Sequence, residues 1–189
     1  ENFTDKNIVE GCVLDSYANQ NELNYHIHLG LPIIKKSRMK IAIEKSVESG
    51  IKELTPLNLD RSIKSNISLE KIESIMRSAT KQSMRSILPK TNPVSQLEDW
   101  YNPESLNIAA SIESVDTLTS FKDQIFEAVD RKKNISILLG PEGGFSSKEK
   151  EFIYDNKFLK VSVAKAVLRS ETAIVSILSI LNEIMVQYE

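Results

Sequence analysis

The chain has 189 residues and a near balance of charge, with 24 Lys and Arg against 26 Asp and Glu. This composition excludes a general polyanion-binding protein, although it allows a local basic surface, and the length suffices for one domain with an appendage. Because no stretch approaches about 20 apolar residues, and because Cys12 is the single cysteine, the sequence predicts no membrane span and no disulfide framework, and it favours a reducing, cytoplasmic location.

Residues 1–24 are polar and irregular, apart from a strand-like patch from Ile8 to Leu14. We interpret them as the tail of a domain that lies mostly upstream. The chain opens on Glu1 without Met, and no basic, apolar leader follows, so we expect a fragment or a processed chain without a signal peptide.

From residue 25 onward the apolar pattern switches repeatedly between strand and helix periods. Strands are predicted at 25–31, 51–57, 106–110, 135–139 and 158–163, and helices at 37–49, 68–86, 97–101, 117–131, 147–155 and 171–188. The alternation predicts an α/β domain with a mostly parallel sheet and helices on both faces. His26 and His28 alternate on the first of these strands, and no Cys/His cluster has metal-ligand spacing, so we expect structural hydrogen bonds there and no metal site.

The strand at 135–139 runs into a loop rich in glycine and proline, Gly140-Pro-Glu-Gly-Gly144. Glycine accepts positive φ and lets a backbone or a ligand approach closely, and Ser146 with Glu149 has the spacing of a capping box for the next helix. The loop lacks the Walker A and dinucleotide-binding spacings. A tight turn alone does not require the acid Glu142, so we predict a ligand site at this carboxyl end of a strand.

The segment Arg169-Ser-Glu-Thr172 opens the last helix. Ser170 is predicted as the N-cap, and Glu171 falls in the first turn, where the helix dipole favours an acid. Arg169 opposes that dipole, which favours a contact with a ligand, an acid or a substrate. The alternative is an ordinary capped helix start.

Taken together, these segments resemble the bacterial small-subunit ribosomal RNA uridine-N3-methyltransferases, the RsmE family of the SPOUT superfamily. The two loops carry most of the resemblance, and further matching segments are His26–Gly30, Glu44–Ile51, Leu54–Leu57, Asp60–Ser62 and Ala79–Arg85 followed by Pro89. The resemblance covers roughly residues 25–188. It implies a SPOUT domain over 25–189 with a C-terminal trefoil knot, and a mostly absent PUA-like RNA-binding barrel of which 1–24 is the remnant.

The resemblance also implies S-adenosylmethionine (SAM) as methyl donor, a homodimer, and N3 of one uridine in 16S ribosomal RNA as the target. Donor-binding residues would be Ala109, Leu139, Gly140, Pro141, Glu142, Gly143, Gly144, Val163, Ala164, Val167, Leu168 and Ser170. Among the catalytic residues, Arg169 would stabilise the uracil that has lost its N3 proton, and Glu171 or Glu142 would be the base. Glu171 has two further interpretations, a partner of the helix dipole or a group that orients Arg169.

A basic surface would contact the RNA through Arg61, Lys64, Arg77, Gln82 and Arg85, although scattered basic residues on helices more often form a solvated face. Ala164 and Ala166 stand where the family usually has Gly and Arg. The alternatives are therefore a non-catalytic RNA-binding or ribosome-assembly module of the same fold, and a SPOUT methyltransferase that acts on transfer RNA.

Overall fold

The computed structural model describes residues 2–5, 8–64 and 67–188. The strands are β1 Asn2–Asp5, β2 Ile8–Glu10, β3 Ile27–Pro32, β4 Glu53–Leu57, β5 Lys90–Thr91, β6 Leu106–Ala110, β7 Ile135–Leu139 and β8 Leu159–Val161. The α-helices are α1 Lys36–Glu48, α2 Leu69–Gln82, α3 Leu97–Trp100, α4 Lys122–Asp130, α5 Ser147–Asp155 and α6 Ser170–Val186, and a 3-10 turn, Leu118–Phe121, leads into α4.

The main sheet contains six strands in the order β5-β4-β3-β7-β6-β8, and every neighbouring pair is parallel. The predicted α/β class with a parallel sheet is therefore confirmed. β1 and β2 form a separate antiparallel pair. The assignment of residues 1–24 to a barrel remnant stays a prediction, and so does the trefoil knot.

Two hydrophobic clusters cover the two faces of the sheet, because successive residues of a strand point to opposite sides. In β7, Ile135, Ile137 and Leu139 belong to the larger cluster, with α1, α2, α4 and α6, while Leu138 belongs to the smaller one, with α3 and α5. Helices therefore lie on both faces, as predicted. Within the described ranges, no helix combines the length and hydropathy needed to cross a membrane, and no group of three or more metal-ligating side chains occurs.

The long helix predicted at 68–86 ends at Gln82, well before Pro89. Met84 takes φ 54°, and the N–H groups of Met84 and Arg85 donate to the carbonyl oxygens of Lys81 and Thr80 at 3.2 and 3.1 Å. These two bonds form a Schellman motif. Glycine usually occupies the position of positive φ in this motif. Because Met84 occupies it here, the sequence pattern did not indicate the end of the helix.

The early end of α2 turns Arg85 into the protein, so its assignment to an RNA-facing surface is corrected. Arg85 is 7% exposed, its Nη2 lies 2.6 Å from Oε2 of Glu22, and its Nη1 donates to the carbonyl oxygens of Val47 and Ile51 at 2.8 and 2.9 Å. Glu22 also accepts the N–H of Ile87 at 2.9 Å. Arg85 thus holds residue 22 against the ends of α1 and α2.

His28 lies in a buried polar cluster on the α3 side of the sheet. Its Nε2 accepts the indole N–H of Trp100 at 3.0 Å and lies 2.7 Å from Oγ1 of Thr55. Since an indole N–H can only donate, Nε2 carries no proton and the ring is neutral. Burial lowers the pKa of His28 to about 4, against the opposing charge of Glu53. The structural role predicted for this histidine agrees with these contacts.

We predict that acid destabilises the fold through His28. Its pKa is depressed in the folded state, so the unfolded chain binds the extra proton, and the free energy of unfolding should fall from pH 6.5 towards 4 by about 3 kcal/mol in total. Urea unfolding at several pH values between 7 and 5 measures the upper part of this slope. His28→Gln keeps an acceptor for Trp100 and should flatten the slope, whereas the control His26→Gln should keep it. Equal slopes in the two variants would contradict the assignment.

Candidate functional site

A cavity of about 300 Å³ lies where the loops after β6, β7 and β8 come together. In a parallel sheet the carboxyl ends of the strands share one edge, so these three loops are neighbours even though the chain connects them through helices. The N–H of Ser111 donates to the carbonyl oxygen of Val161 at 2.9 Å, and the N–H of Ser162 donates to that of Asp116 at 2.7 Å. These bonds fix the first loop against the third.

The cavity gathers nearly all of the residues assigned to donor binding from the sequence. Its lining includes Leu139, Gly140, Pro141, Glu142, Gly143, Gly144, Val163, Ala164, Val167, Leu168 and Ser170. Ala109 is the exception, because its side chain points to the opposite face and is buried in the smaller cluster. Ala110, one residue further along β6, lines the cavity instead. Ala166, the second position where the chain departs from the family, also lines it.

The three glycines of the loop after β7, which we call the donor loop (140–144), differ in their roles. Gly144 alone of the three has a positive φ, 71°, and its N–H donates to the carbonyl oxygen of Pro141 at 2.8 Å, so it closes the turn. A Cβ on Gly140 would lie 3.4 Å from the ring of Phe145, and one on Gly143 would lie 3.4 Å from the side chain of Arg61. These are ordinary van der Waals distances, so packing within the protein leaves room for a Cβ at Gly140 and Gly143.

The segment Asp60–Ser62 supports the donor loop from the adjacent part of the sheet edge. Nη1 of Arg61 donates to the carbonyl oxygen of Gly143 at 2.7 Å. Oε1 of Glu149 accepts the N–H of Asp60 at 2.8 Å, and the hydroxyl of Ser146 donates to Oδ2 of Asp60 at 2.5 Å. The capping box of Ser146 and Glu149, predicted from the sequence, is present and also anchors this segment.

Arg38, in the first turn of α1, was not identified from the sequence as a site residue. Its Nη1 donates to Oε1 of Glu142, and its Nε lies 3.7 Å from Oε1 of Glu171. The second carboxylate oxygen of Glu171 is buried and has no hydrogen-bond partner in the part of the chain that the structure describes. A basic residue in the first turn of a helix opposes the dipole, which is the signal that singled out Arg169, and the same signal applied to α1 would have found Arg38.

Arg169 and Ser170 differ from their predicted roles at the helix start. α6 begins at Ser170, so Arg169 is the N-cap residue and its side chain makes no capping bond. The hydroxyl of Ser170 lies 3.4 Å from the carbonyl oxygen of Gly140 and connects α6 with the donor loop. Arg169 is exposed, and the described contacts include no ion pair between it and Glu171. Glu171 pairs with Arg38 instead.

The other residues assigned to RNA binding lie apart from the cavity lining, with the exception of Arg61. Lys64 is exposed in the loop after β4, and Arg77 and Gln82 are exposed on α2. Arg61 is also exposed, but it contacts the donor loop directly. The structure therefore separates a supporting arginine from three surface residues whose role in RNA binding stays a prediction.

Comparison with known proteins identifies the family. A family model described as an RNA methyltransferase domain matches residues 21–182. The chain belongs to this RNA methyltransferase family. Two curated relatives are named ribosomal RNA small subunit methyltransferase E. The one from Mesomycoplasma hyopneumoniae is 28% identical over 88% of this chain and 74% of its own length, and the one from Buchnera aphidicola is 31% identical over 78% and 59%. The chain thus spans about three quarters of one relative and less than two thirds of the other.

A solved structure extends the comparison to the fold. A Legionella pneumophila protein described as a methyltransferase, in complex with bound cofactor SAM, superposes with a TM-score of 0.75 at 28% identity, over 86% of this chain and 68% of that one. The RNA methyltransferase described here therefore shares its fold with a protein that binds SAM. Together with the family model, these relatives confirm the resemblance found in the sequence.

The cavity has the properties that a nucleoside-containing donor requires. Ligand sites are concave and mostly apolar, with a few placed polar groups, and this one combines small side chains and exposed backbone with Glu142 and Ser170. Residues 139–144, 163–164 and 166–168 line the cavity, and the Glu142 carboxylate is an acceptor for hydroxyl or ammonium groups. The residues present fit the group.

We predict that Arg61 supports donor binding. Arg61→Ala removes the bond to Gly143 and should weaken affinity for S-adenosylhomocysteine by about tenfold. A hydrogen bond from a charged group contributes about 1.5–3 kcal/mol, and this one is exposed, so we expect the lower end of that range. Lys64→Ala removes a similar charge three residues away without touching the donor loop, and should bind normally. Isothermal titration calorimetry measures both affinities. If Arg61→Ala binds normally, Arg61 is no support of the donor loop.

Proposed function

We propose that this protein transfers a methyl group from SAM to N3 of a uridine in 16S ribosomal RNA of the small subunit. The main support for this proposal is the cavity, where the three loops expected to hold the donor come together. The chain that forms it belongs to the RNA methyltransferase family. The relatives named for small-subunit RNA support the substrate. A ribosomal substrate also implies that the protein acts in the cytoplasm.

The chain's part in this reaction is mainly to align donor and acceptor. Bound SAM supplies an electrophilic methyl group, and the protein must position the uracil ring for attack in line, which is worth about 7–11 kcal/mol when both reactants are held. Uridine N3 becomes a good nucleophile after its proton leaves, so the site needs a base, or a cation that stabilises the deprotonated ring. Ser170 lines the cavity, and both Arg169 and Glu171 adjoin it in sequence.

Arg169 is better suited than Arg38 to stabilise the negative charge of the ring. Arg38 already faces two carboxylates, whereas Arg169 is exposed at the start of α6 with no ion pair among the described contacts. An uncompensated guanidinium can direct its planar fork at a uracil oxygen. Two acids are candidates for the base. Glu142 lines the cavity and is paired with Arg38, and Glu171 follows the cavity-lining Ser170 and has one carboxylate oxygen without a hydrogen-bond partner among the described residues.

The decisive test is methyl transfer by the complete protein. Isotope-labelled SAM and small ribosomal subunits from a strain lacking this enzyme should yield labelled 3-methyluridine at one position, located by nuclease digestion and mass spectrometry. Label on transfer RNA would favour the related transfer-RNA methyltransferase. Tight binding to the subunit without any methylation would favour the assembly module.

We predict that Arg169 acts on the transition state. Arg169→Ala should lower kcat and kcat/KM together by about 10²–10³, as the loss of an oxyanion-hole donor does, with little change in donor affinity. Arg169→Lys should restore part of the rate. Lys165→Ala, which removes an exposed charge from the same loop, is the control and should keep kcat. A rise in the KM for RNA alone would instead make Arg169 a phosphate contact.

We further propose a homodimer that uses the exposed side of the α1–α6 pair. The two helices run parallel, because Arg38 lies beside Glu171 and, further along, the carbonyl oxygen of Ser49 accepts from Asn182 at 3.0 Å. In this register Ile41 and Val175 lie in corresponding turns of the two helices, and they are 45% and 38% exposed. Removing exposed apolar side chains from water is favourable, so a second copy that covers this side of both helices would gain stability.

The dimer prediction is tested by light scattering. The wild-type protein should have twice the chain mass at micromolar concentration, and Val175→Glu should shift it towards the monomer because a charge would enter the interface. Val186→Glu, near the end of α6, where Val186 is 70% exposed, is the control and should leave the mass unchanged. A wild-type monomer would refute the proposal.

A further inference from the structure

The guanidinium of Arg38 connects the two segments that carry the family's motifs. Glu142 belongs to the donor loop and Glu171 to the first turn of α6, and these segments are far apart in sequence. Nη1 of Arg38 donates to Oε1 of Glu142, while Nε lies 3.7 Å from Oε1 of Glu171. One cation on a third element therefore holds two acids in a common arrangement.

The surroundings of Arg38 make its position rigid. α1 is anchored by buried residues along its length, including Met39 on one side of Arg38 in sequence, and it packs on α6 in parallel register. The Arg38 side chain is 24% exposed and that of Glu171 is 12% exposed, so the pair is only partly screened by water, whereas Glu142 at 40% is the solvent-facing member. Arg38 and Glu171 therefore form the more buried part of this group of three side chains, and Arg38 holds the donor loop through Glu142.

The charges around Arg38 indicate that it does not contact the substrate directly. Two carboxylates face one guanidinium, so the positive charge of Arg38 is already compensated and offers little to an RNA phosphate or a uracil anion. The second oxygen of Glu171 has no hydrogen-bond partner among residues 2–5, 8–64 and 67–188, and a buried acceptor without a partner carries a desolvation cost. Among the described contacts Arg38 is the cation that offsets this cost, so its removal should disturb Glu171 as well as Glu142.

We propose that Arg38 is a positioning residue that fixes the donor loop to the first turn of α6, so that donor binding and the placement of Glu171 depend on the same side chain. The inference rests on the proposed function for the identity of the donor. It predicts that Arg38 and Glu142 act as a unit in donor binding. It also predicts that Arg38 contributes to turnover after the donor has bound, through Glu171.

The first experiment is a double-mutant cycle on donor affinity, measured by calorimetry with S-adenosylhomocysteine. Arg38→Ala should weaken binding about tenfold in the wild-type background and should have almost no effect in the Glu142→Ala background. Lys40→Ala is the control, since Lys40 is exposed two residues further along the same helix and pairs with Glu44, away from the donor loop. Additive losses in the cycle, or unchanged binding by Arg38→Ala, would overturn the proposal.

The second experiment separates positioning from direct contact with RNA. At saturating SAM, Arg38→Ala should lower kcat on small ribosomal subunits about tenfold without a matching rise in the KM for the subunit, and Arg38→Lys should recover part of the loss. If only the KM for the subunit rises, Arg38 is an RNA contact and the proposal fails. Should Arg38→Ala not fold, as judged by circular dichroism, the cycle is run with Arg38→Lys and Glu142→Gln, where a non-additive loss of affinity is expected and an additive one overturns the proposal.

The two experiments also distinguish this inference from the proposed function. If the wild type binds S-adenosylhomocysteine and the cycle is non-additive, but no methyl group reaches small-subunit RNA, the substrate assignment fails and the role of Arg38 in donor binding stands. If methyl transfer occurs and the cycle is additive, the function stands and the inference fails. A wild type that does not bind S-adenosylhomocysteine overturns both.

Discussion

The parallel direction of all six strands is the constraint on which the site depends. Each strand delivers its following loop to the same edge of the sheet, and the order β4-β3-β7-β6-β8 places five such loops side by side. The loops after β6, β7 and β8 form the cavity. The start of α1, which follows β3, supplies Arg38, and the loop after β4 supplies Arg61. Residues that are remote in sequence therefore lie close together at this edge of the sheet.

The donor loop is held by its neighbours more than by its own conformation. Only Gly144 of its three glycines requires a positive φ, while Arg61 binds the carbonyl oxygen of Gly143 and Arg38 binds Glu142. Ser170 adds a contact from α6 at the other end of the loop. A loop restrained from three directions loses little conformational entropy when a ligand arrives, and this preorganisation favours binding.

The sequence predicted most of this architecture because its signals are local. Strand and helix periods, the capping box of Ser146 and Glu149, and the Gly/Pro punctuation after β7 depend on nearby residues. The sequence predictions that were wrong concern features without a local signal in the sequence. α2 ends without a glycine, so Arg85 was assigned to the surface although a partner 63 residues earlier draws it inside. The one-residue error at Ala109 reflects strand alternation, since a shift of one position reverses the face.

The pairing of charges explains why the sequence pointed to Arg169 and not to Arg38 as a site residue. Both arginines oppose a helix dipole, and each must be compensated by a partner or by solvent. Arg38 is compensated by Glu142 and Glu171, acids that sequence distance places far from it. Arg169 is compensated by solvent. Glu171 therefore pairs with Arg38, and its second oxygen has no hydrogen-bond partner among the described residues. The solvated guanidinium of Arg169 has no ion pair among them either, so the start of α6 presents one acceptor and one cation. Deprotonation at uridine N3 needs a group of one of these kinds.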